Sequence, residues 1–386
     1  MQCTETKKDL KKEGVKVGKF KYPKVNGDEI RSINVMTPRL QKLKKEWEDA
    51  PPQVYVDDTL LFTESWKETE GLPVDIRWAK AFEKRLLECP ITIRDGEIIV
   101  GSLTKFVRGN GTLCAMKPRE ILAMCETGRF DRKSSDIDAT YIDPEDLRKL
   151  REDAEYWVEH MPQRNFVHDA LKAEFGEGHF DLMFDRGMVF EGRAVREHVD
   201  RGIFENWGAF GGGNCMPTKP AIDNGLNYII KLAEDEIERC MKVGFQQPGL
   251  PQNALRKYHL LQACIISCKA VIAYAKRHAD LAREMAEKCQ DPVRKAELLK
   301  IAEVCENVPA NPPRNFWEAV QSLWFVHIIN TWEDGINANS LGRLDQILYP
   351  YYIHDIETGT YAKDQIFELI CCLWIKLYRE YDVQQS

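Results

Sequence analysis

The chain has 386 residues, 44% of them hydrophobic, and carries a formal charge of −7 at pH 7 with a pI near 5.8. That is ample apolar content for a large core, and the acidic balance argues against a general nucleic-acid binder. The 12 cysteines are dispersed with no C-x-x-C spacing, which excludes a zinc ribbon and makes a disulfide framework an unsuitable reading.

The first residues, "MQCTETKKDLKK", contain no apolar core of a signal peptide, and the basic run from Lys7 to Lys24 reads as a solvated arm. Residues 1–45 are therefore expected to form a partly disordered tail, and 46–386 the folded portion. Residues 38–49 read as a surface helix. Residues 58–90 read as a helix pair broken at Gly71 and Pro73. "ITIRDGEIIVGS" carries the strongest β signal in the chain, two β-branched runs about Asp95-Gly96, which predicts a type I′ hairpin. Residues 117–162 are helical and charged, with a helix start at Pro144-Glu145-Asp146.

Residues 201–217, "RGIFENWGAFGGGNCMP", break the helical pattern, and three consecutive glycines among aromatics mark a loop where backbone bends or approaches something closely. It lacks the G-x-x-x-x-G-K-[S/T] spacing of a phosphate loop. Residues 222–243 and 255–289 read as long helices, the second apolar on most faces and so expected to be buried. Its most apolar run, "ACIISCKAVIAYA" at 263–275, is interrupted by Lys269 and is shorter than the roughly 20 residues of a membrane span. The expectation is a cytoplasmic protein with no membrane or nucleic-acid partner. Residues 293–306 form another helix closed by "NVPANPP". The apolar run 315–332 follows. In "NSLGRLDQILYPYY", 339–352, Gly342 breaks regular structure, Arg343 and Asp345 require partners if buried, and Pro350 should interrupt or start a helix. This stretch reads as a buried polar turn feeding a packed helix. Residues 363–380 form the last helix.

Catalytic constellations are absent from the sequence: there is no H-E-x-x-H, no G-x-S-x-G and no paired-glycine nucleotide fingerprint. Glu333-Asp334 is read as a solvated acidic pair, His327 as a core histidine, and Cys264, Cys268, Cys371 and Cys372 as helix-core thiols.

The succession "FTESWKETEG", "IRDGEIIVG", "ACIISCKAVIAYAKRHADLAREMA", "KAELLKIAEVCENVPANPPRNFWEAVQSLWFVHI" and "SLGRLDQILYPYY" resembles the glycyl radical enzymes, the family that includes pyruvate formate-lyase. It looks closer to the branch of dehydratases, C–N and C–S lyases, arylacetate decarboxylases and fumarate-adding enzymes. The resemblance spans about Leu60 to Asp382, and its most specific pieces are "DGEIIVG", "VPANPP" and the Gly-Arg-x-Asp-Gln element at 342–346. It implies a helix-rich α/β fold, the N-terminal part of a ten-stranded barrel of two five-stranded halves ringed by helices. It also implies a thiyl cysteine on one central loop and a radical-storing glycine on another, near the C-terminus.

Neither loop is present: there is no Gly-Cys-Val-type hairpin and no Arg-Val-x-Gly-Tyr motif. The resemblance therefore implies the N-terminal half of a family enzyme, inactive by itself; the alternatives are a catalytically dead helical binding module or one half of a split radical enzyme. The glycyl radical is expected in a missing C-terminal part, installed by a separate S-adenosylmethionine/iron–sulfur activating enzyme. The expected substrate is a small organic molecule, and the complete enzyme is expected to be a homodimer. Substrate-lining residues carried over by the resemblance are Trp207, Phe210 and Asn214 in the glycine-rich loop, and Asn337, Asn339 and Ser340 before Gly342. "EDGINANSLGR" looks most like the arylacetate decarboxylases, where a serine there contacts the substrate carboxylate.

Overall fold

The computed structural model describes residues 37–111, 113–115, 118–126, 141–160, 173, 217–243, 251–333 and 340–382. In chain order the elements are α1 (Pro38–Asp49), β1 (Gln53–Tyr55), α2 (Asp57–Glu68), α3 (Val74–Glu88), β2 (Gly109–Gly111), α4 (Pro118–Glu126) and α5 (Pro144–His160). They continue with α6 (Thr218–Asn224), α7 (Leu226–Val243), α8 (Pro251–Lys288), α9 (Pro292–Asn307), α10 (Phe316–Glu333), α11 (Leu344–Thr358), α12 (Lys363–Arg379) and β3 (Glu380–Asp382). The strands form one parallel sheet in the order β1-β2-β3, with Gln53 opposite Gly109 and Gly109 opposite Glu380. Tyr141 bridges Gln53 on the other side of β1. The helix-rich α/β class is as expected, but the strands among the described residues form this small sheet and do not close a barrel.

Two apolar clusters hold the molecule. The larger joins α1, α3, the segment 93–103, α6 and α8–α12; the smaller joins β1, α2, α4 and α5 around Phe62, Trp66 and Trp157. At the centre of the larger lies α10, whose residues from Phe316 to Trp332 are buried on every face except at Asn330. A helix apolar all round belongs in an interior, and the polar atoms it carries are used there. Asn315 caps it by accepting from the Glu318 N–H at 3.0 Å, and Asp355 of α11 accepts from the Phe316 N–H at 2.7 Å. Glu318 is fully buried and accepts from Arg314 Nε at 2.9 Å and Asn307 Nδ2 at 2.8 Å.

The expected hairpin at 91–102 is not formed. The turn is real, with Gly96 at φ 82° and the Glu97 N–H donating to the Arg94 carbonyl at 3.1 Å, but its flanks are not paired as strands. Side chains of neighbouring helices take the place of the ladder. Gln321 accepts from the Val100 N–H at 2.9 Å and donates to the Val100 carbonyl at 2.8 Å. Trp317 and Trp324 donate to the carbonyls of Ile98 and Gly101, and Arg294 to those of Glu97 and Arg94. Ile93, Ile98, Ile99 and Val100 are nevertheless buried, because a strand-like segment laid on helices satisfies its backbone as fully as one in a sheet.

Other expectations are also revised. Residues 38–45 lie in α1, which starts at Pro38, capped by Thr37, and buries Leu40 and Leu43. Helix α8 is not buried all round. Although long and apolar enough to cross a membrane, its most apolar window is only 28% buried. The packed side is a stripe of small residues, Ala275, Ala279, Ala282 and Ala286 with His278, which admits α3 and α9 at close range. Cys264 consequently faces solvent and Cys268 is half-buried, whereas Cys372 is a core thiol as expected. Pro350 lies inside α11 rather than at its start or at a break. It sits on the exposed face, so the Gln346 carbonyl that loses its helical donor remains open to solvent.

Candidate functional site

Of the expected lining residues, only Ser340 lies among the described ones. It is exposed, and its hydroxyl accepts from the Gly342 N–H at 3.2 Å. Gly342 has φ 76°, which a side-chain-bearing residue adopts at a cost, and this lets the chain reverse into α11. Arg343 and Asp345 pair at 3.3 Å with 68% and 53% of their side chains exposed. The polar turn expected to be buried is thus a solvent-facing one, with burial beginning only at Ile347 and Leu348. Trp207, Phe210, Asn214, Asn337 and Asn339 lie outside the described residues, as does Asp334.

What the structure does define is how the carboxyl ends of β1 and β2 are held, the place where parallel sheets present ligand-binding groups. Strand β1 runs through Val56 into α2, whose Asp58 is one of two acidic residues in its first turn. Asp58 pairs with Arg85 of α3 at 3.0 Å, both side chains 2% exposed. The same carboxylate oxygen accepts from Trp332 Nε1 at 3.0 Å, and its other oxygen accepts from the Thr59 N–H at 2.8 Å. Arg85 in turn donates twice to the Trp332 carbonyl, at 3.3 Å each. Burial pushes the Asp58 carboxyl above its ordinary value, against the opposing pull of Arg85 and Trp332. One buried ion pair thereby ties the exit of β1 to the end of α10. Glu333, the last residue of α10, directly precedes the segment holding Asn337 and Asn339.

A second cluster fixes the chain after β2. The Thr59 hydroxyl donates to Asp153 of α5 at 2.8 Å and accepts from the Cys114 N–H at 2.9 Å. Trp157 donates to the Thr63 hydroxyl at 2.6 Å. Burial raises the Asp153 carboxyl, partly offset by hydrogen bonds from Thr63, Thr59 and Cys114. Both clusters were missed in the sequence, where Asp58, Arg85 and Asp153 look like surface charges on amphipathic helices.

The chemistry these residues can perform by themselves is limited. Burial pushes the Cys114 thiol well up, and those of Cys89 to about 11 and Cys372 to about 12. None is a ready thiolate. His327 is a core histidine as expected, held down to about 4 by desolvation. Groups of three or more metal-ligating side chains are absent among the described residues. A cavity of about 360 Å³ opens between α8, α9 and the turn at Val308–Ala310, but its lining includes Ile272, Lys276, Cys305 and Pro309 and no sheet residue.

The arrangement is a scaffold of strand ends fixed by buried polar clusters. Comparison with known proteins identifies the scaffold. Residues 36–385 match the family model described as pyruvate formate lyase-like. The chain is 32% identical over 374 residues to isethionate sulfite-lyase of Desulfovibrio desulfuricans, which covers 95% of this chain and 42% of that enzyme. Among solved structures it is similar to one of 1,2-propanediol dehydration in Roseburia inulinivorans, with TM-score 0.75 and 32% identity, covering 91% of this chain and 38% of that one. It is also similar to the glycerol-bound B12-independent glycerol dehydratase of Clostridium butyricum, with TM-score 0.75 and 32% identity, covering 91% and 41%. The chain spans about two fifths of the length of these relatives. With the family model matched from residue 36 to residue 385 and the fold shared, the chain belongs to the pyruvate formate lyase-like family, the glycyl radical enzymes.

Proposed function

We propose that this chain supplies the N-terminal portion of a glycyl radical lyase, a dehydratase, decarboxylase or C–X lyase acting on a small organic substrate in anaerobic metabolism, and that it is inactive by itself. The observation that carries this reading is the coverage. Nearly the whole chain matches enzymes of which it spans only about two fifths. The absence of a Gly-Cys-Val-type cysteine hairpin and of an Arg-Val-x-Gly-Tyr glycyl motif agrees with it. In this reading the hydrogen-abstracting cysteine and the radical glycine belong to the remaining portion, which a separate S-adenosylmethionine/iron–sulfur enzyme activates. The complete enzyme is a cytoplasmic homodimer.

This chain's own contribution is one wall of a dry cavity, which protects a radical from quenching. Trp207 and Phe210 supply apolar surface. Asn214, Asn337, Asn339 and Ser340 supply polar contacts, Ser340 to a substrate carboxylate if the substrate is an arylacetate.

The test is the intact mass of the native protein, purified from its source without oxygen. A species well above the chain's 44.6 kDa, or a complex with a second polypeptide, supports the reading. A lone 44.6 kDa species, or a glycyl radical doublet generated on this chain alone by an activating enzyme, refutes it. In the complete enzyme, replacing Ser340 should lower turnover more than radical yield.

A further inference from the structure

The cavity between α8, α9 and the turn at Val308–Ala310 has a lining divided by polarity. Its buried part is Ala275, Cys305, Val308, Pro309 and Ala310, with Ile272 half-buried beside them. Cys305 belongs with the apolar groups, because burial raises its thiol far above the ordinary value and keeps it neutral. The turn backbone adds little polarity. Pro309 has no N–H to offer, and the carbonyls of Pro309 and Ala310 already accept from the Leu226 and Asn227 N–H groups at 2.8 and 3.0 Å. Two charged residues stand at the mouth, Lys276 and Glu306, both exposed. Glu306 is paired with Arg283. Asp280, one turn on from Lys276, is held by the same Arg283 at 3.3 Å. Lys276 is thus left without an ion-pair partner among the described residues.

We propose that this cavity binds a small organic carboxylate with an apolar body, the body seated against Ile272 and Val308 and the carboxylate at the Lys276 ammonium. The inference is independent of the function proposed above. The volume of about 360 Å³ falls within the roughly 300–1,000 Å³ of small-molecule sites, towards the lower end, and suits a single ring with a short side chain. An apolar surround with one orienting charge is the composition such sites have. The sign of the ligand follows from which charge is uncommitted. An amine would meet the Lys276 ammonium and find Glu306 already satisfied by Arg283. A carboxylate gives Lys276 the partner it lacks, while its ring displaces water from the buried apolar wall. A second carboxylate on the ligand would lie near Glu306 and be repelled, so the site selects a monoacid.

Amide chemical shifts of this chain, followed by NMR as benzoate, benzamide or benzylamine is added, test the site. Benzoate should produce saturable shifts at residues 272–276 and 305–310. Benzamide keeps the ring and loses the charge, and should bind about two- to fivefold more weakly, the worth of an ion pair at an exposed mouth. Lys276→Met should weaken benzoate by the same factor and leave benzamide unchanged. Ile272→Trp fills the cavity and should abolish the shifts from both. Lys276 is exposed, so Lys276→Met leaves the fold intact and decides the matter if Ile272→Trp lowers the melting temperature. The absence of saturable benzoate shifts at these residues overturns the proposal, as do shifts confined to other parts of the chain. Benzylamine binding as tightly as benzoate overturns it, because the site would then not read negative charge. Benzoate binding unchanged by Lys276→Met, or retained by a folded Ile272→Trp variant, overturns it as well.

Discussion

Replacing Arg85 with Met tests whether the buried Asp58–Arg85–Trp332 cluster holds the sheet to α10. The substitution keeps an unbranched apolar stem and removes the 3.0 Å ion pair and both hydrogen bonds to the Trp332 carbonyl. Asp58 is left 1% exposed with only the Trp332 indole and the Thr59 N–H as donors. Breaking one side of a buried pair costs about 3–5 kcal/mol, because the remaining charge is uncompensated. Adding Asp58→Asn removes that charge, so the double variant should recover about 2 kcal/mol of the loss. The deficit should also depend on pH. Burial already holds the Asp58 carboxyl above its ordinary value, and removing Arg85 removes the largest influence opposing that rise. A group whose folded pKa is raised contributes fully below its unfolded pKa and loses that contribution as pH rises through the folded value. The Arg85→Met deficit should therefore be small near the ordinary carboxylate pKa of about 4 and grow towards neutrality. Urea unfolding followed by circular dichroism across this range gives the numbers. A deficit below about 1 kcal/mol at neutral pH, or one that does not change with pH, refutes the reasoning.

Gln321→Leu should cost about 2–5 kcal/mol, because it leaves both the N–H and the carbonyl of Val100 buried without partners. Hydrogen exchange should accelerate at 98–102 before it does elsewhere, and uniform acceleration would mean that Gln321 acts only through packing. Gly225→Ala should cost about 3 kcal/mol or more, since φ is 74° there and a Cβ would lie 2.5 Å from the Ala310 carbonyl oxygen. Thermal melts report it, and a neutral result would require the turn at 308–311 to move. His278 and His327 are both held near 4, mainly by desolvation. Folded pKa values below the unfolded 6.5 mean stability that is present above pH 6.5 and lost as pH falls towards 4, about 3 kcal/mol for each group. His327→Leu should flatten that loss in a pH series of unfolding midpoints, and an unchanged slope refutes the assignment. Under native conditions iodoacetamide should label Cys264 ahead of Cys114, Cys305 and Cys372. Early labelling of Cys305 would place it outside the core.

Much of the helical skeleton was legible because its signals are local. Gly71 and Pro73 separate α2 from α3, Pro144 opens α5, and the unbroken apolar run from Phe316 declares an interior helix. The sheet was not legible. Its strands are three residues each, too short to show alternation, and β2 reads Gly-Asn-Gly, a turn by any propensity. The opposite error fell on Ile91–Ser102, where β-branched residues and an Asp-Gly turn promise a hairpin. The partner that satisfies Val100 is a glutamine more than two hundred positions away, and no local pattern announces it. The polar clusters escaped for the same reason. Asp58 and Arg85 each sit on a helix whose other charged residues are exposed or half-buried, and only their meeting across α2 and α3 buries them fully.

The short strands depend on the side chains that surround them. A parallel sheet is stable when both faces are covered, and three strands of three residues with glycine in the middle one contribute little by themselves. Their positions are therefore set from outside, by Asp58 and Arg85 at the exit of β1 and by Thr59 and Asp153 beyond β2. These clusters join elements that are far apart in the chain, α2 to α10 and α2 to α5. Loosening one of them displaces a strand end before it unfolds a helix, because the apolar clusters around Trp157 and around α10 remain intact. Displacements of about 1 Å at reacting groups are enough to slow catalysis a hundredfold. In a complete enzyme, conservative changes at Thr59 or Asp153 should therefore reduce turnover further than their effect on melting temperature accounts for. A proportional loss of both would assign these clusters to stability alone.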